Sequence, residues 1–117
     1  MGHAYSSIIA DFFSRFKTID GYKVYFLTGT DEHGLKIQRS AEKEGLDPLN
    51  FCDQISKTFR DLSDTLNLSN NDFIRTTESR HAKSVENLWN ILENKDEIYL
   101  SKYSGWYSVS DLSLIHI

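Results

Sequence analysis

The sequence predicts an α/β domain in which helices wrap a doubly wound parallel sheet, entered partway through with its first strand missing. Three observations carry this reading. Helical and strand patterns alternate along the chain, and the strongest strand runs into small residues just before a helix. The chain also opens on an apolar helix, without the strand that an α/β layer normally supplies beforehand.

The elements follow in order. Residues 4–17 read as a helix, because Ile8, Ile9, Phe12, Phe13 and Phe16 form one apolar stripe, expected to be core. Asp20-Gly21 makes a turn. Tyr22 to Leu27 is aromatic and β-branched and predicts a strand, with Thr28-Gly29-Thr30 releasing the backbone into a loop. Residues 35–44 are helical, with Gly45 as the stop. Asp47 and Pro48 suit the cap and first turn of another helix, whose apolar face (Phe51, Cys52, Ile55, Phe59, Leu62) reaches Leu66. A polar loop over 67–72 leads to a short strand at Phe73 to Thr76. Thr77-Glu78 then caps a helix with Val85, Leu88, Trp89 and Leu92 on a buried side. Short strands are expected at Ile98 to Leu100 and Trp106 to Val109, turning around Ser104-Gly105, with Trp89 and Trp106 as packing residues.

Composition sets outer limits. The chain has 117 residues, a net charge of -4 and no cluster of Lys and Arg, which disfavours a self-contained nucleic-acid module. Neither a signal peptide nor an apolar run of membrane-spanning length is read, so a cytoplasmic setting without membrane or DNA partners is expected. Cys52 is the one cysteine, and its place on an apolar stripe predicts a buried thiol rather than a nucleophile.

Two features invite chemistry. Asp31, Glu32 and His33 stand between Gly29 and Gly34, at a strand's carboxyl end, where ligands bind in open α/β sheets. Consecutive side chains diverge, which argues against a shared metal; a carboxylate there could instead receive an ammonium or hydroxyl group. A solvated loop capping the next helix explains the same residues equally well, and both readings stand. The second feature is Gly2-His3 at a helix start, where backbone amides and an imidazole suit phosphate oxygens, although the dipeptide taken alone reads first as a frayed terminus.

Taken together, the motifs resemble class I aminoacyl-tRNA synthetases, and within that class the methionyl-tRNA synthetase family. Gly2-His3-Ala4-Tyr5 resembles the second half of the His-Ile-Gly-His signature and the helix that follows it. Phe26 to Gly34, Phe73 to Glu78, Arg80-His81 and Gly105 to Asp111 continue the likeness in order. The resemblance implies a Rossmann-like catalytic domain over residues 1–98, the start of an inserted connective domain over 99–111, and an unrelated tail over 112–117. It implies ATP binding by Gly2 and His3 and receipt of the methionine ammonium by Asp31. Glu32, His33 and Gly34 belong to the motif without an assigned role, Gly34 being suited to a tight entry into the helix. No side chain is expected to act as a covalent catalyst and no metal is expected on these residues.

For the complete enzyme, the resemblance implies methionine, ATP with Mg²⁺, and tRNA(Met), with zinc possible in a further part of the connective domain. The first strand and the leading His-Ile are missing from the pattern, and Met1 stands where the isoleucine would be. A fragment of a methionine–tRNA ligase is therefore expected, cytoplasmic, or mitochondrial if a leader has been lost. The alternative is a free-standing, non-catalytic interaction domain derived from a synthetase. The fragment reading predicts that the purified 117-residue chain gives no methionine-dependent exchange of pyrophosphate into ATP, as measured with labelled pyrophosphate.

Overall fold

The computed structural model describes residues 2–102, 104–108 and 113–115, with side chains up to Ser108. The expectations that fall on Met1, on Val109, Ser110 and Asp111, and on residues 112, 116 and 117 lie outside the described residues. The chain divides into two compact units, residues 1–85 and 86–117.

The first unit begins with helix α1 (Gly2–Ile19), followed by strand β1 (Leu27–Thr30), helices α2 (Leu35–Glu44) and α3 (Pro48–Thr65), and strand β2 (Asp72–Arg75). β1 and β2 pair in parallel, with Leu27 opposite Asp72 and Thr30 opposite Arg75. The α2–α3 pair forms the crossover that a parallel connection demands. Helix α4 spans Ser79–Glu93. In the second unit, β3 (Trp106–Ser108) pairs antiparallel with β4 (Ser113–Ile115).

Helix boundaries follow local chemistry. The Asp47 carboxylate accepts from the amides of Leu49 and Asn50, and Pro48 sits where its missing N–H costs nothing. Gly45 ends α2 at φ 67°, in the left-handed conformation that a side chain disfavours.

Three expectations need correction. The first strand is not Tyr22 to Leu27 but Leu27–Thr30, so Thr28-Gly29-Thr30 lies inside the ladder instead of leaving it. Its partner decides this. β2 runs alongside residues 27–30, while before them Phe26 is held by Asn71, whose side-chain oxygen accepts from Phe26 N at 2.7 Å and whose amide donates to Phe26 O at 2.8 Å, and the Tyr25 hydroxyl donates to the Asp72 carboxylate at 3.3 Å. Residues 98–100 form no strand; β3 takes β4 as its neighbour instead.

The third correction concerns burial. The stripe on α1 is exposed at Ile8, Ile9, Phe12, Phe13 and Phe16, as are Val85, Leu88 and Trp89 on α4 and Trp106 on β3. The buried residue of α1 is Ser14, on a face held by polar bonds. Asp11 Oδ1 accepts from both the amide and the hydroxyl of Ser69 at 2.6 Å, and Arg15 donates to the carbonyl of Asn67. The described first unit has two strands, and the buried apolar residues are Ala41, Phe51, Cys52 and Phe73, packed around α2, α3 and β2. A sheet this narrow buries one helical layer, and the apolar faces of α1 and α4 are left without cover among the described residues.

Gly29 is the close-approach point of the ladder. A Cβ there would overlap the carbonyl oxygen and side chain of Ile74. Gly29→Ala should therefore force the strands apart and lower stability by about 2–3 kcal/mol, read as a drop of about 10 °C or more in the thermal unfolding midpoint.

Candidate functional site

The sequence features around His3 and Asp31 meet in space. A cavity of about 290 Å³ at the carboxyl end of β1 is lined by His3, by Gly29, Thr30, Asp31 and Glu32, and by apolar side chains of α2 and α3, among them Ile37, Phe51 and Phe59. His3 reaches it from the first turn of α1 and is held edge-on to the Phe59 ring, with centroids 5.1 Å apart. Gly2, His33 and Gly34 are not in its lining.

The three ionisable residues of the loop divide sharply. Asp31 is exposed at the cavity and takes one long contact, from the amide of His33 at 3.4 Å. Glu32 is turned inward and is only 6% exposed. Its Oε1 accepts from Thr30 Oγ1 at 2.7 Å and from Arg75 Nε at 2.8 Å, and its Oε2 from Thr77 Oγ1 at 2.6 Å. His33 is exposed, with Nε2 3.2 Å from the carbonyl oxygen of Thr76. Gly34 stands at the N-cap of α2 with φ 111°, and its carbonyl accepts from the amides of Ile37 and Gln38. That backbone conformation suits glycine and gives the loop its sharp entry into the helix.

The loop is stitched to the end of β2. Besides the Glu32 carboxylate bonds, the Glu32 amide donates to Thr76 Oγ1 at 2.9 Å, and the Thr76 amide to Thr30 O at 3.2 Å. Arg75 completes the junction by pairing with Asp53 of α3 at 2.6 Å. One guanidinium thus links the loop, a strand and a helix. Sequence reading missed Arg75 as a partner of Glu32, since 43 residues separate them and only the parallel register brings them together.

Electrostatics agrees with this geometry. Burial works against ionisation of Glu32, but the bonds from Arg75, Thr30 and Thr77 outweigh it and hold the carboxyl below its usual range. Burial, with the nearby Glu32 charge, pushes the Cys52 thiol up. Cys52 is 3% exposed, and its Sγ lies 3.7 Å from Glu32 O, fitting the buried, unreactive thiol expected. At the other end of β2, Arg80 binds both carboxylate oxygens of Asp72 and draws its pKa down to about 2. Among the described residues, no three His, Cys, Asp or Glu side chains converge on a metal position, and no helix is long and apolar enough to cross a membrane.

A carboxyl group with a lowered folded-state pKa adds stability above its unfolded value, which is lost as pH falls through the folded one. Glu32 should therefore contribute to the loss of stability below about pH 4.5. Glu32→Gln should flatten the acid limb of a plot of thermal midpoint against pH between 7 and 3, while lowering the plateau near neutrality.

Comparison with known proteins bears on the same residues. The family described as tRNA synthetases class I (M) matches residues 1–115. A mitochondrial methionine–tRNA ligase of Takifugu rubripes is 50% identical over 115 residues, 98% of this chain and 20% of that ligase. The methionine–tRNA ligase of Mesorhizobium japonicum is 50% identical over 93% of this chain and 21% of its own length. The chain thus spans about a fifth of these relatives. Among solved structures, a Mycobacterium tuberculosis methionyl-tRNA synthetase bound by methionyl-adenylate superposes with a TM-score of 0.87 at 44% identity, over 94% of this chain and 22% of that one. A second structure of that enzyme with methionyl-adenylate gives a TM-score of 0.90 at 43% identity, over 97% and 22%. With nearly its whole length matched, the chain belongs to the family of class I tRNA synthetases (M), whose relatives here are methionine–tRNA ligases.

Proposed function

We propose that this chain forms part of the amino-acid activation site of a methionine–tRNA ligase. The observation that carries the reading is the meeting of His3 with Asp31 at one cavity, although 28 residues of sequence, 3 to 31, separate them. The solved relatives hold methionyl-adenylate, which joins the two ligands expected at these residues. On this reading residues 1–98 belong to a Rossmann-like catalytic domain and 99–111 open the connective domain, with 112–117 as a tail beyond it.

The residue roles follow from exposure and bonding. Asp31 has free acceptor capacity at the cavity and would receive the methionine ammonium in a charge-assisted bond. The apolar walls from Ile37, Phe51 and Phe59 suit an uncharged ligand body. A Cβ at Gly2 would meet nothing within 4 Å, so the helix start is open to approach, and Gly2 and His3 would contact ATP phosphate oxygens. In the reaction a methionine carboxylate oxygen attacks the α-phosphorus of ATP and pyrophosphate leaves; a hydroxyl of the terminal ribose of tRNA(Met) then attacks the methionyl carbonyl and AMP leaves. The protein's part is positioning and electrostatic stabilisation, without a covalent side-chain intermediate.

Mg²⁺ would accompany the ATP phosphates rather than sit in a cage of these side chains, and the described residues supply no zinc ligand set. With bacterial and mitochondrial relatives, the reading is of a cytoplasmic enzyme, or of a mitochondrial one with the same chemistry.

The test is methionine-dependent pyrophosphate exchange by the complete enzyme carrying this segment. Asp31→Asn should raise the KM for methionine by about 10- to 100-fold, the loss expected for a hydrogen bond to a charged group, with the KM for ATP nearly unchanged. His3→Ala should weaken ATP instead. Exchange that ignores methionine, or that is indifferent to Asp31→Asn, overturns the reading.

A further inference from the structure

We infer that Glu32 is a positioning residue: locked to Arg75, it fixes the β1–α2 loop so that its neighbour Asp31 faces the cavity. The inference deepens the proposed function and rests on it.

Adjacent carboxylates on one loop could compete for the same cationic ligand. Their bonding separates them. A carboxylate offers about four lone-pair positions, and three on Glu32 are taken by Thr30, Arg75 and Thr77. Its side chain is almost closed to solvent, and the Arg75 guanidinium beside it would repel an ammonium. Asp31 has the opposite character: it is exposed, with a single long contact from a backbone amide. Receipt of a cation falls to Asp31, and Glu32 is spent on anchorage.

The anchorage is well placed for orientation. Glu32 is tied through its side chain to Arg75 of β2 and to Thr77 beyond it, through its amide to Thr76, and through its carbonyl to the Cys52 thiol of α3. Residue 31 therefore sits between Thr30, held in the ladder, and a residue fixed on three sides. A catalytic geometry tolerates little displacement: a shift of about 1 Å can cost on the order of 100-fold. Arg75 acts through the same lock, because it also binds Asp53 and so sets the loop against α3.

Pyrophosphate exchange by the complete enzyme, with KM values for methionine and ATP measured separately, tests this. Glu32→Gln should raise the methionine KM about tenfold and leave the ATP KM within about twofold, because His3 approaches from another element. Arg75→Met should show the same split, and the double variant should be no worse than the poorer single one, as expected for two residues in one lock. Arg75→Lys should restore part of the methionine affinity. A methionine KM unchanged in Glu32→Gln while Asp31→Asn is impaired overturns the positioning role and leaves the proposed function intact. Absence of methionine-dependent exchange in the unaltered enzyme overturns the function first. Equal changes in both KM values, tracking a fall in thermal midpoint, would reduce Glu32 to a structural residue and overturn the inference. Should Glu32→Gln fail to fold, the same split read in Arg75→Lys decides the outcome.

Discussion

The pairing of Glu32 with Arg75 is the interaction on which the site depends. It joins a loop, two parallel strands and a helix, and three hydrogen bonds hold the inward carboxylate. A buried ion pair of this kind contributes little net stability over an apolar packing, since desolvation offsets attraction. What it supplies is uniqueness of arrangement. Removing Arg75 leaves the inward Glu32 carboxylate without its cation beside the cavity, whereas removing Glu32 leaves Arg75 paired with Asp53 and the loop without its anchor. The two-stranded sheet has few other means of holding a polar loop, because its apolar core is small.

Gly29 sets the distance across which that lock operates. Close strand approach brings the end of β2 against the loop, and Thr30, Thr76 and Thr77 then present hydroxyls where the chain turns. Short polar side chains bridge such a gap, whereas longer ones would push the loop away. The order of small and ionisable residues from Thr28 to Gly34 thus serves the ladder first and the cavity second.

Much of this was legible in the sequence. The helices over 35–44 and 48–65 were announced by Gly45, Asp47 and Pro48, whose effects are local. The parallel arrangement followed from alternation of strand and helix. Strand limits were less legible: Tyr22 to Phe26 has stronger strand residues than Thr28-Gly29-Thr30, yet pairing is decided by the partner strand. Burial was misread on α1 and α4 because periodicity marks an apolar face without saying what lies against it. At the site, the chemistry of Asp31, Glu32 and His33 was visible as a group. The separation of an exposed Asp31 from an inward Glu32 was not, since it depends on Arg75 across the sheet.

The polar seat of α1 has a mechanical consequence. The helix is pinned near its middle, where Asp11 and Ser14 meet Ser69, and His3 lies eight residues further toward its start. At 1.5 Å per residue that is an arm of about 12 Å. A tilt of only about 5° at the pin would carry the imidazole about 1 Å, comparable to the tolerance of an active site. The edge contact with Phe59 is then the far support of a lever, and residues in the 67–69 loop gain influence over the His3 end of the helix.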